Sequence, residues 1–302
     1  MKNYSGILLI LLVLLAMPVQ SQSDNYDWWI ETHDWDGITH WKKYLILSPA
    51  FLGPNALPVP ETMTGIIKKQ HSFALAYENH FAPGDKTHNL HVNAFFPLFS
   101  DKAGLYFSMV PLEVFSMDPE VRDKRRARNF EGTGSGVGDL YIATHVQLLE
   151  DHQKYPDILL TINLRTASGS NLNSARFTDT PGYFFDVSFG ETYHLKNKYV
   201  NQIRPFLSAG FYVWQTNLDV FYQNDAFLYA AGVKMKLFDA VSLSNIFTGY
   251  SGYIDNGDKP RVYRLILESE RDKRVDFMLM YQIGIHDYPF NTVRVGLSAK
   301  LF

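Results

Sequence analysis

Between Ser72 and Phe302, apolar and polar side chains alternate in stretches of about ten residues, each closed by a turn. Ile158, Leu160, Ile162 and Leu164 alternate with Leu159, Thr161, Asn163 and Arg165, and Tyr183, Phe185, Val187 and Phe189 alternate with Phe184, Asp186, Ser188 and Gly190. Successive side chains of a strand point to opposite faces, so each stretch has one greasy face and one wetter face. A tilted strand needs about 9–11 residues to cross a hydrocarbon layer, whereas soluble strands average about 5–6. The pattern predicts an all-β fold, a transmembrane antiparallel up-and-down β-barrel of about twelve strands. They cover residues 71–81, 88–98, 103–115, 137–149, 156–166, 182–195, 202–214, 226–238, 240–249, 261–270, 273–285 and 291–302. Pro111 requires a bulge in the third strand, because proline cannot donate to the ladder and a closed barrel has no edge. Asn245 interrupts the apolar face of the ninth.

The connections sort by parity. Phe99–Lys102, Glu150–Tyr155, Lys196–Asn201, Asp239 and Arg271–Asp272 are short; Ser116–Gly136, Ala167–Pro181, Gln215–Asp225 and Tyr250–Pro260 are long. Outer-membrane barrels have short periplasmic turns and longer outer loops, and an even strand count leaves both termini on the short-turn side. A terminal Phe302 closing an amphipathic strand is the kind of signal read by the barrel-assembly machinery.

Residues 1–21 read as a removable export signal: Lys2, then an apolar run from Ile7 to Met17, then small residues before a cut after Ser21, with Ser23 as the alternative. The run is too short for a spanning helix. There is no cysteine, hence no disulfide framework. A net charge of −3 argues against a nucleic-acid partner, and 15% aromatic content fits belts at two membrane interfaces. Residues 22–70 form a separate block without strand period, carrying four of the five tryptophans and the Pro/Gly-punctuated run Leu47–Pro60. They are expected on the periplasmic side, either as a rim extension or as a partial plug entering the lumen from below.

The wetter strand faces supply the lumen-lining candidates Asn163, Arg165, Asp186, His194, Arg204, Lys234, Lys236, Arg264, Glu268, Arg274, Asp276 and Arg294. With both signs present they either pair to fill the interior or line a pore, and about twelve strands lies between the filled and open types. Arg122, Lys124, Arg125, Arg126 and Arg128 cluster in the longest loop, as a solvated charge run or as a phosphate-binding patch for lipopolysaccharide. Arg125 and Arg126 are expected to face the exterior. His33, Asp34, Asp36 and His40 are metal-ligand types but lack a ligand frame, and read as a polar turn. Gly132–Gly138 precedes a strand rather than a helix, which excludes a phosphate loop. His286-Asp287 has no evident serine partner, so neither catalysis nor a cofactor is expected.

Gly136-Val137-Gly138-Asp139-Leu140, Leu148-Leu149, Pro156 and Ala167-Ser168-Gly169 together resemble the outer-membrane family assigned to the meta-cleavage phenol-degradation pathway. The resemblance covers residues 134–210, with Ala167-Ser168-Gly169 where that family has Pro-Thr-Gly. It implies a transporter-like barrel with a small hydrophobic cargo. Passive passage or binding of such a molecule is thus the leading function, embedded in outer-membrane lipid. A structural or adhesive barrel acting through its loops is the alternative, and an outer-membrane hydrolase the third class.

Overall fold

The computed structural model describes residues 26–98, 100–269 and 274–301. The export signal, the Arg271–Asp272 turn and Phe302 lie outside the described residues. Two compact units are present, one ending at Trp35 and one spanning Asp36–Phe302. In the first, helix α1 (Asp27–His33) ends where Asp34 turns into the left-handed region, and Trp29 packs on His33. No described helix is long and apolar enough to cross a membrane, a statement that does not bear on strands.

Twelve antiparallel strands form the second unit: β1 (Ser72–Ala82), β2 (Asp85–Pro97), β3 (Ala103–Met117), β4 (Tyr141–Leu149), β5 (Asp157–Arg165), β6 (Gly182–Gly190), β7 (Val200–Gln215), β8 (Gln223–Leu237), β9 (Val241–Ser251), β10 (Arg261–Ser269), β11 (Val275–His286) and β12 (Asn291–Lys300). Each pairs with its sequence neighbours, and β12 pairs with β1 from Ser72↔Lys300 to Phe81↔Asn291, closing the barrel. Two short strands, Thr133–Gly136 on β3 and Tyr193–His194 on β7, extend the wall. The alternation sorts as the sequence predicts. Phe73, Leu75 and Tyr77, Ile162 and Leu164, and Phe277, Leu279 and Tyr281 are exposed outward, while Ala76, Glu78, His80, Asn163 and Arg165 are buried inward.

Pro111 sits at the expected bulge. The β2–β3 register jumps between Leu90↔Leu112 and Val92↔Met109, so Val110 and Glu113, three positions apart, both turn inward. An extra residue in one strand reverses the parity beyond it. Asn245 stays on the outer face, where Tyr263 Oη donates to its Oδ1 at 2.5 Å. Two strand ends differ from the pattern. Val137–Leu140 leaves the ladder because the upper half of β3 pairs with Thr133–Gly136 instead of β4. The stretch 182–195 breaks after Gly190, where a side chain would collide with the Thr64 carbonyl and lie 3.0 Å from the Arg204 guanidinium.

Candidate functional site

The lumen is occupied by the chain's own residues 41–70. Hydrogen bonds trace the path from one end of the barrel to the other. At the long-loop end Lys42 pairs with Asp179 at 2.8 Å, Lys43 with Asp219, and Trp214 Nε1 donates to the Leu47 carbonyl at 3.1 Å. Further in, Tyr288 Oη donates to Pro54 O (3.1 Å), Arg165 Nη1 to Ala56 O (2.5 Å) and Tyr250 Oη to Leu57 O (2.8 Å). At mid-height Arg264 donates to the carbonyls of Val59 (2.6 Å) and Pro60 (2.8 Å), and Arg294 pairs with Glu61 at 2.5 Å. Near the short-turn end Arg204 Nε donates to Thr64 O (2.9 Å), Gln147 Oε1 accepts from Ile67 N (2.7 Å), and Lys69 reaches Glu150 at 2.6 Å.

The local sequence explains this mode of binding. Pro54, Pro58 and Pro60 have no N–H, so the segment cannot add to the sheet as a strand, yet its carbonyls still require donors once buried. The wall supplies them from arginine, tyrosine and tryptophan side chains. Gly65, at φ +87°, passes so close to the wall that a Cβ there would lie 2.6 Å from Gly190 N. The expected placement of 22–70 on the short-turn side is therefore corrected for residues 41–60. Prolines and apolar side chains draw them into the lumen from the long-loop end, and only residues near Thr64–Lys69 reach the short turns.

Lumen chemistry falls into two zones. Toward the long loops Leu45, Leu47, Leu52, Leu57 and Val59 pack with inward-facing Phe184, Tyr212, Trp214, Tyr250, Tyr288 and Phe290 in one apolar core. Beside it lies a buried ionic lattice: Arg176 bonds Glu113 (2.7 Å), Asp85 (2.9 Å) and Thr87, Arg125 also holds Asp85, and Asn55 of the inner segment reaches Glu113 (2.6 Å). Arg176 is fully buried and stacks over Phe115 at 4.6 Å. Next to Leu45 and Leu47 a cavity of about 190 Å³ opens at the long-loop mouth, walled also by Lys43, Arg126, Asn217, Leu218 and Ile254.

Of the lumen candidates, Asn163, Arg165, Asp186, Arg204 and Arg264 are buried inside, and Arg294 joins Glu78 to Glu61. Lys234 and Glu268 face each other at 3.6 Å and Asp276 meets Lys300 at 3.3 Å toward the short turns, while Lys236 opposes Gln202 and Ser242 in register. His194 and Arg274 are exposed at the short-turn rim: His194, beyond the Gly190 break, pairs in register with Gln202, and the Arg274 carbonyl ahead of β11 accepts from Lys300 N. Arg176, Arg125, Glu113, Asp85 and Glu61 were not anticipated as lumen groups. Glu113 was hidden by the parity reversal at Pro111, and Arg176 lies in a loop.

The basic loop cluster is also corrected. Helix α2 (Pro119–Lys124) is capped by Asp118, whose side chain accepts from Val121 N at 2.9 Å, and this turns the cluster back on the barrel. Arg125 is buried on Asp85, Arg122 donates to Phe130 O at 2.6 Å, Arg126 donates to Tyr44 O at 3.1 Å, Arg128 stacks on Trp41 and Lys124 lies over Phe51. Arg126 is exposed to solvent and Arg125 is buried. Asp36 is consumed by its own turn: the Thr39 hydroxyl and the Ile38 and Thr39 amides donate to it and hold its carboxyl below the usual range. His286 and Asp287 both engage the Lys259 backbone, bracing a loop.

No family model matches the chain and no curated protein matches it, so the resemblance over residues 134–210 does not become membership. Among solved structures the chain is similar to the COG4313 outer membrane channel from Pseudomonas putida F1, with a TM-score of 0.54, 11% identity, and coverage of 80% of this chain and 100% of that one. It also resembles the KdgM porin (TM-score 0.47, 10% identity, 76% and 99% covered) and the NanC porin (0.45, 11%, 76% and 100%). At 11% identity the likeness to the COG4313 channel shows the fold of an outer-membrane β-barrel.

Proposed function

We propose that the protein is an outer-membrane channel for a small molecule, held shut by its own residues 41–70. The observation that carries this reading is the manner in which the segment is held. It forms no strand pairing with the wall, and its carbonyls rest on separate side-chain donors, including Arg165, Arg204, Arg264, Tyr250 and Tyr288. Such contacts can be exchanged for water a few at a time, whereas a barrel staple would need no exchangeable contacts. The likeness to a solved outer-membrane channel supports the same reading and the non-enzymatic one. The mainly apolar lining of the mouth cavity, together with the resemblance to the phenol-pathway family, favours a small hydrophobic cargo.

A second reading, a structural barrel with a permanently filled lumen, is favoured by the apolar core around Leu52 and Leu57. One experiment separates the two. Thr62 on the segment and Thr248 on β9 approach to 3.5 Å between hydroxyls. Thr62→Cys with Thr248→Cys, in a chain otherwise free of cysteine, puts a sulfur on each of these two facing side chains for oxidative cross-linking. A channel gated by the segment should be silent in planar bilayers when oxidised and should open intermittently when reduced. Equal conductance in both redox states, or none in either, would remove the gated reading.

A further inference from the structure

The inner segment does not use the whole wall. Between Leu57 and Thr62 its hydrogen bonds go to Tyr250 and Thr248 on β9, Arg264 on β10 and Arg294 on β12. Across the lumen at this height, β4, β5 and β6 present His145, Thr161, Asn163 and Asp186. The register makes His145 the direct neighbour of Thr161 and Thr161 the direct neighbour of Asp186, with Asn163 next along β5 on the same face. All four are at least nine-tenths buried, at 5%, 4%, 5% and 3% exposure, yet His145 Nδ1, Thr161 Oγ1, Asn163 Oδ1 and Asp186 Oδ1 have no hydrogen-bond partner among the described residues. Asp186 has no ion-pair partner within 4.0 Å among the described residues, unlike the lumen carboxylates of Glu61, Glu78, Asp85, Glu113 and Asp157. Gly210 opposite makes room for it, since a Cβ there would lie 2.6 Å from the Asp186 backbone.

Buried polar groups without partners are costly, so a wall built of them favours whatever state lets water or a polar solute reach it. Resting on the gated reading, we propose that the permeation path of the opened barrel runs along β4–β6, and that Asp186 makes it prefer cations. When the segment swings toward β9–β12, to which its middle is already bonded, the four side chains become the hydrated face of the path. An unpaired carboxylate there attracts cations and repels anions, while Arg264 and Arg294 on the opposite wall, and Arg165 at the long-loop end of β5, are engaged with the segment.

The test is the zero-current potential of the full-length protein in planar bilayers across a KCl gradient, which reads the K⁺/Cl⁻ permeability ratio. Two isosteric changes move the charge without altering volume. Asp186→Asn should lower the ratio about fivefold, the factor corresponding to the attraction between unit charges ~4 Å apart in water. Asn163→Asp should raise the ratio. A heat-dependent gel shift equal to wild type verifies that each variant is folded. Openings that persist with an unchanged ratio in both variants would overturn the assignment of the path and leave the gate intact. Absence of openings in every variant, including the reduced Thr62→Cys/Thr248→Cys protein, would overturn the gate itself and the path with it.

Discussion

Arg264→Met should loosen the inner segment without opening the barrel wall. Arg264 is 6% exposed, and its guanidinium makes three hydrogen bonds, to Val59 O at 2.6 Å, Pro60 O at 2.8 Å and Gln282 Oε1 at 2.7 Å. Methionine has similar length and no donors. Two buried carbonyls of the segment would be left unpaired, each at a cost of about 1–3 kcal/mol. Part of that is offset because a buried charge no longer has to be desolvated. The closed state should therefore lose about 3 kcal/mol relative to a state in which Val59 and Pro60 reach water. At 1.4 kcal/mol per decade this raises local opening roughly a hundredfold. Hydrogen exchange reads the effect directly: the segment amides bonded on either side of the site, Ala56 N (to Gly53 O, 3.2 Å) and Ile67 N (to Gln147 Oε1, 2.7 Å), should lose about two decades of protection. Those of β1 and β12, paired along their whole length, should keep theirs. Bilayer openings should become correspondingly frequent. Unchanged protection at Ala56 and Ile67 in a folded variant would refute the view that wall arginines hold the segment through its carbonyls.

Two further outcomes follow from the same geometry. Ile162 is 53% exposed on the outer face, so Ile162→Arg should lower stability in lipid by about 2–4 kcal/mol if it lies near the membrane midplane; a neutral result in a chemical unfolding series would place this face away from lipid. Gly65→Ala should cost several degrees of thermal stability, because φ is +87° and the new methyl would lie 2.6 Å from the Gly190 amide nitrogen; equal melting in detergent would show that the segment does not pass this close to β6.

The barrel was legible because its signal is local and repeated. A lipid-facing strand needs an apolar residue at every second position, and the run from Tyr183 to Phe189 states that requirement without reference to the rest of the chain. Pro111 was readable for a similar reason, since a missing donor in a closed ladder has one remedy. The path of residues 41–70 was not legible, because it is set by carbonyls meeting donors far away in sequence, such as Arg165 for Ala56 and Tyr288 for Pro54. Backbone carbonyls have no side-chain signature. One clue was present. Near the long loops the strands are apolar on both faces, as in Tyr183-Phe184-Phe185 and Tyr212-Val213-Trp214, and an inward aromatic needs something apolar to pack against. The arginine-rich loop misled because its charge was visible and its partners Asp85, Phe130 and Tyr44 were not.

The central claim is that the chain enters the lumen from the outer-loop end and leaves it at the short turns. Because the protein has no cysteine, single introduced cysteines report each end without interference. Ile38 is 90% exposed and lies just before the contacts that Trp41–Tyr44 make with the long loops, whereas Lys69 pairs with Glu150 in a short turn. Intact cells treated with a membrane-impermeant maleimide should label Ile38→Cys and spare Lys69→Cys, which should react only after the outer membrane is permeabilised. Labelling of Lys69→Cys in intact cells with Ile38→Cys protected would contradict the account.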